Sequence, residues 1–202
     1  EVYDLLYPGY GDTYPILNGA LGMTLEQGGI RGGLNAAKNN GDSISLGARV
    51  EHHTSLALNL VEWSLANSEA IKLSFYGNHN KSRTNPTNRF KSYFIPDSEL
   101  YKAKEFIELL EKNDIKYGYT QLTKPLLSAY AYKENKLINL PVQTGLFINA
   151  RQTSSALIQA LLDPNIVLED SITYDITAWN LFQLNGLKAY GLSEEISFKK
   201  DK

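Results

Sequence analysis

The chain has 202 residues, of which 43% are hydrophobic, 11% aromatic and 21% charged. That composition supports one large or two small globular domains and excludes disorder and collagen. The net charge of -2, from 20 Lys and Arg against 22 Asp and Glu, gives no electrostatic case for nucleic acid or an anionic membrane.

Residues 1–15, EVYDLLYPGYGDTYP, hold four tyrosines, two glycines and two prolines, and read as a loop with turns. Residues 16–26, ILNGALGMTLE, form a short apolar run of the kind a buried strand shows, with Glu26 at its carboxyl end. QGGIRGGL follows, a flexible glycine turn that lacks the Lys-Ser/Thr ending of a phosphate loop. From about Ser45, Leu46, Val50, Ala57, Leu60, Val61 and Leu65 recur at helical spacing, so a helix is expected to about Phe75 with Gly77 as its stop.

Residues 77–91 are polar and basic with no apolar period, and 79–89 read as a linker. FKSYFI at 90–95 reads as a strand. A helix begins at Pro96 with Asp97 or Ser98 and carries Leu100, Ala103, Phe106, Ile107, Leu109 and Leu110. KYGYTQL is a short strand, and LLSAYAY and KLINLPV form a hairpin around Lys133-Glu134-Asn135. GLFINA is another strand, and Thr153 to Asp163 an amphipathic helix stopped before Pro164. Asn165 to Leu192 is mixed, with Trp179 and Phe182 as anchors, and the tail SEEISFKKDK is expected to fray. Residues 1–80 carry 4 basic and 8 acidic residues, residues 81–202 carry 16 and 14, and this small asymmetry suggests two units.

Glu26 is the sharpest candidate for chemistry. A carboxylate after an apolar strand, followed by glycines, presents a base at the carboxyl edge of a sheet, where ligand sites of open α/β sheets lie. The competing reading is a glutamate that caps a turn or pairs with Arg31. The absence of cysteine excludes a disulfide scaffold, a cysteine zinc site and a cysteine nucleophile. His52, His53 and His79 are the only histidines. His52 and His53 are adjacent, so on a helix they diverge by about 100° and cannot face one metal ion. The i, i+4 pair of a helix-borne metallopeptidase site is absent, and no Gly-x-Ser-x-Gly elbow supports serine catalysis. Asn80-Lys81-Ser82 fits a glycosylation sequon, a pattern common by chance. Tyr117, Tyr119, Tyr130 and Tyr132 alternate at strand spacing and read as one face of a sheet. No run approaches the roughly 18 apolar residues of a membrane span.

The stretch YDLLYPGYGDTYPILNGALGMTLEQGG resembles the end of the catalytic domain of carboxypeptidase A-like zinc metallopeptidases, closest to large secreted bacterial members. GARVEHHTSLALNLVEWS resembles that family's final helix, and TSSALIQALLDP and DSITYDITAWNL resemble an appended C-terminal α/β domain. The resemblance implies an α/β fold: the end of a mixed-sheet peptidase domain over 1–78, a linker at 79–89, and a small α/β accessory domain over 90–202. It maps the catalytic general base to Glu26 and the substrate-side tyrosine to Tyr7 or Tyr10, with Tyr3 behind them. It also implies zinc and a peptide substrate in the full-length protein, and an extracellular or periplasmic location. No His-x-x-Glu occurs, so the zinc motif is expected upstream and no zinc is expected in this chain. The chain then reads as the C-terminal fragment of a longer peptidase, partnered by the upstream half of the catalytic domain and, on its own, inactive and open to homodimerisation through residues 1–75. The alternative is a non-catalytic binding or accessory module recognising a peptide, glycan or protein partner.

Overall fold

The structure is a computed structural model and describes residues 7–27, 35–37, 39–165 and 180–198. Among them are six α-helices, one 3-10 helix and eight strands, six of which form one antiparallel sheet, so the chain is mixed α/β. Two compact units emerge. One is Met23–Phe75; the other joins Glu1–Gly22 to Tyr76–Lys202.

In the smaller unit, β1 (Ala36–Ala37) pairs antiparallel with β2 (Ser43–Ile44). Helix α2 (Leu46–Ala66) starts at Ser45, whose hydroxyl accepts from the Ala48 amide at 3.2 Å. It ends at Asn67, and α3 (Ser68–Thr84) begins directly after. The apolar period therefore covers two helices instead of one. Gly77 does not stop the second, because no positive φ is imposed there and a mid-helix glycine costs only about 1 kcal/mol. Lys81 and Arg83 in the last turn of α3 suit the negative end of the helix dipole. Residues 79–84 are thus helical, and irregular chain begins at Asn85.

The larger unit holds the sheet, in the order β4-β7-β3-β8-β5-β6. The strands are β3 (Ser92–Pro96), β4 (Gly118–Gln121), β5 (Leu126–Ala131), β6 (Lys136–Leu140), β7 (Thr144–Asn149) and β8 (Tyr190–Leu192). Central strand β3 is buried at every position, which explains why its sequence reads as a continuous apolar run instead of an alternation. Its neighbour β7 approaches so closely that a Cβ on Gly145 would lie 2.1 Å from the Ile95 carbonyl oxygen. In β5 the register shifts between Leu126 and Ala129, and Ser128 takes φ 62° there, a bulge that bends the strand.

One face of the sheet packs under helices. A 3-10 helix (Asp97–Lys102) leads into α4 (Lys104–Lys112), which buries Phe106 and Leu110 one turn apart. α4 closes with Asp114 at φ 52° and the Ile115 amide donating to the Leu110 carbonyl at 2.9 Å, a left-handed stop sealed by two buried side chains. α5 (Ser155–Leu162) and α6 (Leu181–Leu184) complete the layer with Leu157, Ile158, Leu161, Leu162 and Phe182. They cover Phe90, Tyr93, Ile95, Tyr130, Leu146 and Ile148. The opposite face carries a second apolar cluster of Phe94, Phe147, Tyr190, Leu192, Leu122, Leu126 and Leu140. Phe94 stacks on Phe147 with ring centroids 4.5 Å apart.

The hairpin at 133–135 and the strands at FKSYFI, KYGYTQL and GLFINA lie where the sequence puts them. The strand expected over 16–26 does not form. Asp12 caps a short helix α1 (Thr13–Leu17), Gly19 turns the chain at φ 83°, and Leu21–Gln27 have no regular structure. Gly22 packs so tightly on the Asp12 carbonyl that a Cβ would sit 2.0 Å from its oxygen. The apolar run folds back on itself instead of extending. The tail does not fray at its start either: Ile196 and Phe198 pack against the second apolar cluster. Tyr3, the glycine turn with Arg31, Trp179 and most of DSITYDITAWNL lie outside the described residues.

Candidate functional site

Glu26 sits in the smaller unit, exposed, in the irregular segment Leu21–Gln27. The next residue fixes that segment to α2. Gln27 Nε2 donates to the Arg49 carbonyl and Arg49 Nε donates to Gln27 Oε1, both at 3.1 Å. Glu26 is thus presented beside the first turns of a helix and not at a strand end. Tyr7 and Tyr10 belong to the larger unit, where their rings meet edge to face at 4.9 Å. The Tyr10 amide donates to the Tyr7 carbonyl at 3.2 Å, so the Pro-Gly turn between them holds the pair together. Tyr14 is tied elsewhere, its hydroxyl donating to Asn113 Oδ1 at 2.9 Å.

Among the described residues no three His, Asp or Glu side chains converge as metal ligands. His52 and His53 lie exposed on α2, and His79 is half-buried on α3. The described residues thus offer no ligand set that fits a zinc ion. No described helix is long and apolar enough to cross a membrane.

The larger unit carries two grooves that no sequence pattern marks. The first, about 280 Å³, is lined by Ile16 and Leu17 of α1, Asn78, His79, Lys81 and Ser82 of α3, and Thr153, Ser155 and Ala156 at the start of α5. Its floor is tied by Asn88, which donates to the Ser155 carbonyl at 3.1 Å and accepts from the Ser155 hydroxyl at 2.5 Å. The second, about 330 Å³, lies between Thr120–Lys124 with Leu126 and the tail residues Glu194–Ser197.

Behind the first face of the sheet is a buried polar cluster. The Tyr132 hydroxyl donates to the Leu162 carbonyl at 2.6 Å, and the Asn180 amide donates to the same oxygen. The Tyr93 hydroxyl, on a fully buried side chain, has no hydrogen-bond partner among the described residues. Burial pushes the ionisation of both phenols far above the usual tyrosine range. Asn88, outside hydrogen-bonding geometry, partly opposes the rise at Tyr93. Tyr117 is pushed up to about 12, by desolvation and then by its hydrogen bond to Glu111. No signal in the sequence marks this cluster, because its tyrosines read as ordinary strand aromatics.

No family model, curated protein or solved structure matches the chain.

Proposed function

We propose that the chain is the C-terminal part of a zinc metallopeptidase of the carboxypeptidase-like class. Residues 1–78 end its catalytic domain and 90–202 form an accessory domain. Glu26 is the general base: its carboxylate takes a proton from the attacking water and returns it to the leaving amine. Tyr7 and Tyr10 flank the substrate. The metal ligands belong to the upstream half of the catalytic domain, and the protein acts outside the cell or in the periplasm.

One observation supports the reading beyond the resemblance of residues 1–65. Helix α2 runs for 21 residues and buries none of them, although Leu46, Val50, Leu58, Val61, Trp63 and Leu65 are each about half exposed or more. A helix with apolar residues on more than one side matches an interior element of a larger domain, since helices that are hydrophobic all round are buried ones. In this chain alone the exposed apolar residues of α2 favour self-association.

The test uses the parent protein. Its gene should encode a His-x-x-Glu and a later histidine before Glu1. Glu26→Gln in that protein should abolish peptide hydrolysis while bound zinc is unchanged. Undiminished turnover removes Glu26 from the mechanism, and the absence of the upstream motif removes the peptidase reading.

A second reading, an accessory module that binds a peptide, is favoured by the groove beside the tail.

A further inference from the structure

The second face of the sheet is covered, among the described residues, by the chain's own tail. Past Leu192 the tail is held by side chains that read its main chain. The Ser92 hydroxyl donates to the Glu194 carbonyl at 2.6 Å. The Asn149 side-chain amide pairs with Ile196 at two points: Nδ2 donates to its carbonyl at 3.0 Å, and the Ile196 amide donates to Oδ1 at 3.3 Å. Ser92 and Asn149 are register partners at one end of β3 and β7. They are the polar positions on a face otherwise formed by Phe94, Phe147 and Tyr190.

This contact has the form of peptide recognition. An amide that pairs with both main-chain groups of one residue imitates a strand neighbour and is indifferent to that residue's side chain. Specificity comes from alternate positions, as in other extended-segment sites. Here Ile196 and Phe198 point at the apolar cluster and Ser197 stays exposed. No main-chain to main-chain hydrogen bond ties residues 193–198 to the sheet among the described residues. The ion pairs Arg151–Glu195 at 2.6 Å and Lys124–Glu194 at 3.4 Å are solvent-exposed and worth little. The 330 Å³ groove continues alongside the tail toward Thr120 and Leu126.

We propose that this face is a peptide-binding groove, clamped by Asn149 and Ser92, that Ser193–Phe198 fills in cis. When the tail lifts, the groove takes an extended segment with an aliphatic-polar-aromatic pattern. The inference uses only the larger unit and stands independently of the peptidase reading.

The tethered tail competes at an effective concentration in the mM range, so trans binding should be weak in the native chain. The probe is a fluorescent Ser-Glu-Glu-Ile-Ser-Phe-Lys peptide, read by anisotropy against the full chain. The variant Ile196→Ser with Phe198→Ser, folded by circular dichroism, should bind it at least tenfold tighter than the native chain. Adding Asn149→Ala should remove that binding. A folded variant that ignores the peptide, or binds it equally well without Asn149, overturns the proposal. Native-state hydrogen exchange on the unmodified chain decides the matter if the variant does not fold. An Ile196 amide exchanging at least a hundredfold faster than those of Phe94 and Phe147 upholds a tail that lifts from an intact sheet. Equal rates make the tail part of the global fold and refute the groove.

Discussion

Tyr93 and Tyr132 provide an internal control for what a buried hydroxyl is worth. Both are 1% exposed or less, and their rings pack on the same neighbour, Phe182, at 6.1 and 4.9 Å. Their hydroxyls differ in one respect: Tyr132 donates to the Leu162 carbonyl and Tyr93 has no partner among the described residues. A buried unpaired polar group costs about 1–3 kcal/mol, whereas a formed hydrogen bond contributes about 0.5–1.5 kcal/mol. Tyr93→Phe deletes an unpaired group and keeps the ring, so it should stabilise the protein by about 1 kcal/mol. Tyr132→Phe should destabilise it by about 1 kcal/mol and no more, because Asn180 still donates to the Leu162 carbonyl. With a urea m-value of about 2 kcal/mol/M, the two midpoints should move in opposite directions by about 0.5 M each. Equilibrium urea unfolding followed by circular dichroism measures both. If Tyr93→Phe loses as much stability as Tyr132→Phe, the Tyr93 hydroxyl has a partner and the reasoning fails.

The same two phenols set an alkaline limit. Their pKa values are raised in the folded state, so their contribution is complete below pH 10 and is lost as pH climbs from there toward the folded values. Stability should fall above pH 10 by about 1.4 kcal/mol per pH unit for each, and the double Phe variant should flatten that slope in urea titrations. Gly145→Ala drives a Cβ into the Ile95 carbonyl between two central strands and should cost about 2–3 kcal/mol in thermal or urea unfolding. Leu58→Gln with Leu65→Gln, on exposed positions of α2, should shift the stability of this chain by less than about 0.5 kcal/mol. The same pair should reduce self-association by light scattering; unchanged association means that α2 is not the contact face.

Elements whose signal is local were legible. The β5–β6 hairpin is written in two apolar runs around Lys133-Glu134-Asn135, and Asn135 adopts the left-handed φ of 52° that the turn needs. α4 shows its buried face as Phe106 and Leu110 at i, i+4. ILNGALGMTLE misled because its length and apolarity fit a strand, while its structure is decided by Asp12 capping α1 and by Gly22 packing on the Asp12 carbonyl. Both contacts depend on Asp12, which lies outside the run. Glu26 was legible as a residue but not as a placement. The Gln27–Arg49 pair that fixes its segment spans 22 positions and has no periodic signature. The clamp on the tail was hidden for the same reason, since Asn149 and Ile196 are 47 positions apart.

The contrast between α2 and β3 carries the functional argument. Both are apolar stretches, yet β3 is buried at all five positions and α2 at none. Burial stabilises by about 25 cal/mol per Å² of apolar area removed from water, so β3 realises that gain and α2 forgoes it. A sequence under no demand to cover α2 would replace its leucines with polar helix formers at almost no cost in helix propensity. Such leucines fit a helix that has a partner surface, which the upstream catalytic half would supply in the proposed peptidase and a second copy of this chain would supply in self-association. These two covers make different predictions at Trp63, 49% exposed in this chain, read in a background where the other tryptophans are replaced by phenylalanine. Under the first, Trp63 fluorescence stays solvent-red at every concentration of the isolated chain and shifts blue only in the parent protein. Under the second, the blue shift appears in the isolated chain and grows with its concentration. A solvent-red Trp63 in the folded parent removes the all-round cover that the peptidase reading gives α2, and with it the support that α2 lends to that reading; a second copy seated on the Leu58 and Leu65 side is read from the glutamine variants instead.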